Sequence, residues 1–234
     1  MMIPKKIHYC WFGRGEKPKL AKKCIDSWKK LCPDYEIIEW NEDNFDVTKY
    51  EYTQYCYSQG KWAFLSDFAR LIAVYDNGGI YLDTDVELIK SPDELLRFEA
   101  FFGFENIETV ATGLGFGAVS NNPIVKAMID TYLGFEKKPD GSFKLIGCPE
   151  INTNAVERFG LIKNGERQNV AGAEILPVDY LNPLDDSTGR LNITNNTISI
   201  NHYGKTWMTK THKLRSRLTR PLHRVLGTDF FRKH

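Results

Sequence analysis

Residues Lys61 to Leu88, KWAFLSDFARLIAVYDNGGIYLDTDVEL, decide how the rest of the chain is read. Trp62, Leu65, Phe68, Ala69, Leu71, Ile72 and Tyr75 recur at the three-to-four spacing of a helix with one apolar stripe. Gly78 and Gly79 can take the left-handed backbone that ends a helix. Ile80, Tyr81 and Leu82 then form a short core strand that runs into Asp83-Thr84-Asp85.

That triplet carries the chemistry. In an extended or turning backbone, residues i and i+2 point the same way. Two carboxylates at the end of a buried strand are costly unless a cation neutralises them. Mg²⁺ and Mn²⁺ prefer oxygen ligands, and often combine one or two carboxylates with substrate phosphates. Asp83 and Asp85 are therefore the expected metal ligands, although a D-x-D alone is also a common solvated turn. Asp67 and Arg70 share one face of the preceding helix, as an ion pair or as a polar clamp on a ligand. The metal turn that follows favours the clamp.

The string S-D-x-x-R (Ser66 to Arg70) followed by N-G-G-I-Y-L-D-T-D (Asn77 to Asp85) resembles the glycosyltransferases of family 32. These include bacterial polysaccharide-synthesis enzymes and yeast mannosyltransferases, and they are similar to the catalytic domain of the glucosylating toxins. The resemblance is dense from Ser66 to Asp85, supported at the N-terminus, thin in the middle, and returns near His202. It implies an α/β fold of the GT-A type, a Rossmann-like mixed sheet flanked by helices, with a basic amphipathic C-terminal tail.

The remaining expectations follow the chain. Ile3 to Tyr9 reads as a first strand and leads into Cys10-Trp11-Phe12-Gly13. Trp11 is either core packing or a ring for a nucleotide base, and the resemblance favours the base. Lys17 to Leu31 is a helix and Tyr35 to Trp40 a second strand, an order that suits a nucleotide-binding half-sheet. Asn41, just after it, is a ribose contact or a turn residue. Strands are expected over Phe101 to Phe104 and Leu114 to Val119, around a loop from Glu105 to Gly113. A helix follows Asn121-Asn122-Pro123, and a loop from Gly147 to Asn154 leads into another. Glu150, Asn152 and Asn154 face the sugar there or cap a helix. Glu174 to Val178 and Thr197 to Ile200 complete the strands.

Beyond them, Asn201-His202-Tyr203-Gly204-Lys205-Thr206-Trp207 resembles the family's terminal H-x-x-x-x-W segment. By that resemblance His202 is a third metal ligand, while Lys205 and Trp207 close over the diphosphate. Ser66 and Tyr81 join Trp11 and Asn41 in the donor-binding set. Asp67, Arg70, Asp83, Asp85 and Asn152 form the catalytic set.

The chain has 234 residues, 42% hydrophobic and 26% charged, which suits one α/β domain over residues 1–204 and a C-terminal segment over 205–234. Five scattered cysteines without a C-x-x-C read as reduced thiols of a cytosolic protein. No apolar run is long enough for a membrane span, and the start MMIPKKIHYCWFG has no signal-peptide pattern. Residues 205–234 hold nine Lys or Arg against one acid, so the first 204 residues, with 22 basic and 29 acidic, carry net −7. A basic amphipathic tail suits the cytoplasmic face of a membrane or packing on the domain. No nucleic-acid motif accompanies its charge.

The expected activity is metal-dependent, configuration-retaining transfer of a hexose from a nucleotide-sugar, a UDP-hexose or UDP-HexNAc first, with Mn²⁺ or Mg²⁺. The expected acceptor is a glycan or lipid-linked saccharide in surface polysaccharide synthesis. Two alternatives are a metal-dependent phosphohydrolase or phosphotransferase and a non-enzymatic membrane-docking module.

Overall fold

The computed structural model describes residues 2–204. The basic tail, Lys205 and Trp207 lie outside the described residues, and so does the expected closing segment from residue 205 on.

β1 (Lys6–Cys10) is followed by α1 (Lys19–Leu31) and β2 (Glu36–Trp40). The two strands pair in parallel, with Cys10 opposite Trp40. α1 buries Ala21, Cys24, Ile25 and Trp28 at helical spacing, which is why a helix forms the crossover. β1 starts three residues later than Ile3, because Pro4 has no N–H for a ladder and Ile3 instead donates its N–H to Leu96 O at 2.9 Å. α2 (Glu51–Ser58), which the periodicity does not announce, precedes α3 (Trp62–Asn77).

α3 has the expected apolar stripe with one correction. Leu65, Phe68, Ala69 and Leu71 are fully buried, but Trp62 is 37% exposed. As the first helical residue it has no preceding turn over it. Its indole stands edge-on to Tyr57 and lies against the loop after β1, so that a Cβ on Gly13 would fall 2.8 Å from its Cε2.

The two-glycine stop is real in both residues, with φ of 63° at Gly78 and 117° at Gly79. A side chain at Gly79 would also strike His8 Nε2 and Lys6 O, each at 2.9 Å. His8 is fully buried; its Nδ1 accepts from Trp40 Nε1, leaving Nε2–H to donate to Gly78 O at 2.8 Å. Burial holds this imidazole below its ordinary pKa and hence neutral.

β3 (Gly79–Tyr81) lies parallel to β1, with His8 opposite Tyr81. β4 (Val86–Leu88) comes directly after the D-x-D turn. β5 (Ala100–Gly103), β6 (Phe116–Ala118), α4 (Pro123–Leu133) and α5 (Cys148–Glu157) follow. β7 (Gln168–Val170), β8 (Ala173–Leu176), α6 (Val178–Leu181) and β9 (Ser199–Asn201) complete the order. The main sheet runs β2-β1-β3-β6-β5-β8-β7, and β4 pairs with β9 in a separate antiparallel ribbon. β6 is antiparallel to its neighbours β3 and β5, and β7 to β8, which makes the sheet mixed.

The helix expected at Asn121-Asn122-Pro123 forms as α4, and Asn122 caps it by accepting from the N–H groups of Ile124 and Val125. The stretch from Gly147 to Asn154 is not a loop. Pro149 sits in the first turn of α5, where its missing N–H costs nothing. Two apolar layers flank the sheet, one around α3, α4 and α5, the other around α1 and Trp28.

Candidate active site

β1, β2 and β3 are parallel neighbours, so their C-terminal ends open on one edge of the sheet. Ligands of open α/β sheets bind at that edge. Trp11, Asn41 and Asp83 all emerge there, each within two residues of a strand end.

Arg70 is the centre of the site. It is 3% exposed and reaches two carboxylates with one nitrogen: Nη2 lies 2.8 Å from Asp67 Oδ1 and 3.1 Å from Asp83 Oδ1. Nη1 points to Thr112 Oγ1 at 3.4 Å and to Cys148 Sγ at 3.8 Å. Nε donates to Ser66 O at 3.2 Å, and the guanidinium lies over the Tyr81 ring. Tyr81 donates its hydroxyl to the same Asp83 Oδ1 at 2.9 Å. The S-D-x-x-R helix is thus tied to the first aspartate of D-x-D.

Asn152 supports this group from behind. It is fully buried, and its Oδ1 accepts from Thr112 N–H at 2.9 Å and Thr112 Oγ1 at 3.0 Å. It touches Thr112 and not the open pocket. Glu150 and Asn154, expected beside it, are exposed. A loop would have alternated all three onto one face; the helix turns Asn152 inward and the other two out.

Asp85 is held by the segment after β9. Gly204 N–H donates to its Oδ2 at 2.7 Å, and His202 N–H to its backbone oxygen at 2.9 Å. The His202 ring lies elsewhere, with Nε2 2.7 Å from Glu87 Oε2, an oxygen that Lys23 also reaches at 2.7 Å. Trp11 is half-buried, with Nε1 donating to Gly15 O and Lys17 over the ring; the core aromatic of that loop is Phe12. Asn41 acts as a turn residue, its Oδ1 accepting Asp43 N–H at 2.8 Å.

One buried carboxylate, Asp67, and two half-buried ones, Asp83 and Asp85, against one guanidinium leave the pocket short of positive charge. Burial pushes Asp83 up to about 7 against the pull of Arg70, helped by the charges of Asp85 and Asp67. Burial raises Asp85 and Asp67 as well. Asp83 commits Oδ1 to Arg70 and Tyr81, and Asp85 commits Oδ2 to Gly204, so each keeps an oxygen for a hard cation. Among the described residues no group of three or more His, Cys, Asp or Glu could hold a metal by itself. The pair fits a divalent ion that completes its shell with substrate phosphates.

Sequence reasoning missed Gly113 and Thr112. A Cβ on Gly113 would lie 2.8 Å from Asp83 Oδ2 and 3.2 Å from Arg70 Nη1. The only signal was a Thr-Gly in the loop between two strands.

Residues 18–102 match the glycosyltransferase sugar-binding region containing the DXD motif. Over 111 residues the chain is 35% identical to inositol phosphoceramide mannosyltransferase 3 of Schizosaccharomyces pombe, a match that covers 42% of this chain and 29% of that protein. The chain therefore spans less than a third of the length of that curated relative. Among solved structures it is similar to the PaToxG glycosyltransferase, with a TM-score of 0.54 and 21% identity over 67% of this chain and 70% of that one. It is also similar to a glycosyltransferase involved in glycosylation of the major capsid of PBCV-1, with a TM-score of 0.50 and 10% identity over 92% of this chain and 98% of the other. Those two likenesses concern the fold, which is of the GT-A type. With the S-D-x-x-R helix joined to its D-x-D turn, the resemblance to the DXD-containing glycosyltransferases of family 32 read from the sequence holds over the matched region.

Proposed function

We propose that this protein transfers a hexose from a nucleotide-sugar to a hydroxyl of a glycan or lipid-linked saccharide, with Mn²⁺ or Mg²⁺ as cofactor. The observation that carries the reading is Arg70 bridging Asp67 and Asp83 within the matched region. Asp83 and Asp85 would hold the cation, which when bound stabilises negative charge on the departing diphosphate. Asp67 and Arg70 position the donor sugar, Asn152 orients Thr112 beside them, and Trp11 offers a ring to the base. Ser66 and Tyr81 support the clamp through Arg70 and Asp83. His202 reaches the cation only when its ring leaves Glu87.

A UDP-sugar is the donor of choice, and retention of the anomeric configuration follows from the family resemblance. The fission-yeast relative is by name a mannosyltransferase of a phosphoceramide, in keeping with a hexose donor and a lipid-linked acceptor. Lys205, Trp207 and the basic tail would close the site and rest on an anionic membrane face, as part of surface polysaccharide synthesis on the cytoplasmic side. NMR of the product made from an α-linked donor tests the stereochemistry. An α-linked product supports the reading and a β-linked product contradicts it.

A further inference from the structure

Glu39 is the penultimate residue of β2 and stands opposite Tyr9 of β1, at the sheet edge where the site opens. Its two oxygens are used unequally. Oε2 accepts from the Tyr9 hydroxyl at 2.5 Å and lies 2.7 Å from Lys17 Nζ. Oε1 receives one long bond, from Asn41 Nδ2 at 3.3 Å. A carboxylate oxygen has two acceptor sites, and this side chain is 29% exposed, so Oε1 has room for a further donor. Burial works against the charge, but the bonds from Lys17 and Tyr9 hold the Glu39 carboxyl below its ordinary value. The result is an ionised acceptor, aimed by two donors on one oxygen and open on the other.

The neighbours of Glu39 tie it to both ends of the site. Lys17 Nζ also lies over the Trp11 ring, 5.7 Å from its centroid. Three residues further on, Leu20 in the first turn of α1 reaches the segment that holds Asp85. A Cβ on Gly204 would fall 3.2 Å from Leu20 Cδ2 and 3.3 Å from Asp85 Cβ, and Gly204 N–H donates to Asp85 Oδ2 at 2.7 Å. Glu39 therefore stands beside the ring offered to the base, at one end of a path that runs through Lys17, Leu20 and Gly204 to a carboxylate offered to the cation. In a nucleoside diphosphate, the group between the base and the diphosphate is the ribose. The cation and the sugar clamp use neither Glu39 nor Lys17.

We propose that Glu39 binds the ribose of the donor nucleotide, its Oε1 accepting from the 2′- and 3′-hydroxyls while Lys17 and Tyr9 hold the carboxylate in place. This rests on the transferase reading. It gives Glu39 the accepting role that Asn41 does not offer, because Asn41 Oδ1 is spent on the Asp43 N–H of its own turn. A hydroxyl bonds more strongly to an ionised acceptor than to a neutral one. Glu39 thereby makes the site selective for ribonucleotides over their deoxy counterparts.

The test compares wild type with Glu39→Gln and Glu39→Asp, after circular dichroism has shown each to be folded. Calorimetry with Mn²⁺ measures the affinity of UDP and GDP, and of the 2′-deoxy and 3′-deoxy forms of whichever binds. Wild type is expected to bind the ribose form about 10-fold or more tightly than either deoxy form. In Glu39→Gln, where a neutral amide replaces the charged acceptor, that ratio should shrink to about 3-fold or less, with the deoxy forms bound as in wild type. Glu39→Asp keeps the charge but withdraws the oxygen by one methylene, so its ratio should fall between the two; it carries the comparison if the Gln variant does not fold. Equal binding of ribose and deoxy forms by wild type overturns the ribose contact alone, and so does a ratio that survives in the variants. A wild type that binds neither UDP nor GDP removes the transferase reading itself.

Discussion

Arg70 Nη2 sits 3.1 Å from Asp83 Oδ1, and this contact joins the helix before the glycine stop to the D-x-D turn after it. Since the same nitrogen holds Asp67 at 2.8 Å, one guanidinium sets the spacing of both carboxylates. Removing one partner of a buried pair leaves the other charge uncompensated. Arg70→Ala should therefore cost about 3–5 kcal/mol of folding stability. Arg70→Lys keeps the charge but lacks the planar fork, so donor affinity should fall with a smaller loss of stability. Urea unfolding and donor titration of the two variants check this.

Charge crowding has a pH signature. Asp83 is raised from 3.8 to about 7. A carboxylate raised on folding adds stability below its ordinary value and loses that contribution as pH climbs through its folded value. In metal-free protein, this group makes stability fall from pH 5 toward pH 8, and cation affinity rise over the same range. Melting temperatures with EDTA and with Mn²⁺ at each pH measure both. A metal-free protein whose stability rises steadily to pH 8 would speak against the cluster as described.

Burial also raises Asp85, so the uncharged isostere Asp85→Asn should relieve the crowding. The expected outcome at pH 8 without metal is stability equal to or above wild type, together with loss of Mn²⁺ binding. Metal titration by electron paramagnetic resonance and a thermal melt read the two effects separately.

Gly113 leaves no room for a side chain, with Asp83 Oδ2 2.8 Å from a would-be Cβ. Gly113→Ala should push Asp83 from Arg70 and cost about 1–3 kcal/mol, with turnover falling more than stability explains. Its control is Gly141→Ala, where nothing lies within 4 Å of the added Cβ but φ is 81°, so only backbone strain is felt.

Asn152 serves through Thr112. Asn152→Ala would leave the buried Thr112 N–H unpaired, a cost of about 1–3 kcal/mol. If Asn152 positions and does not touch donor, turnover should fall with little change in donor affinity.

The helix, the glycine stop and the D-x-D turn were legible because each is a local pattern: a 3.6-residue stripe, a backbone only glycine adopts easily, and two carboxylates beside a strand. β1, α1 and β2 were legible for the same reason. Contacts that join distant segments were not. Thr112 reaches Asn152 across forty residues and Glu87 reaches His202 across more than a hundred, and no periodicity records such pairings. Gly147 to Asn154 misled because Gly and Pro read as a loop, whereas Pro149 opens a helix. Trp62 misled because a stripe counts an aromatic as core without knowing whether a preceding turn covers it.

The central claim is that Asp83 and Asp85 hold a cation against a nucleotide-sugar. The most direct measurement is binding and turnover of UDP- and GDP-sugars with Mn²⁺, with Mg²⁺ and with EDTA, on wild type and Asp85→Ala. The prediction is metal-dependent binding and turnover of one donor, lost with EDTA and lost in the variant. A folded wild type with no metal-dependent binding of any nucleotide-sugar would contradict it.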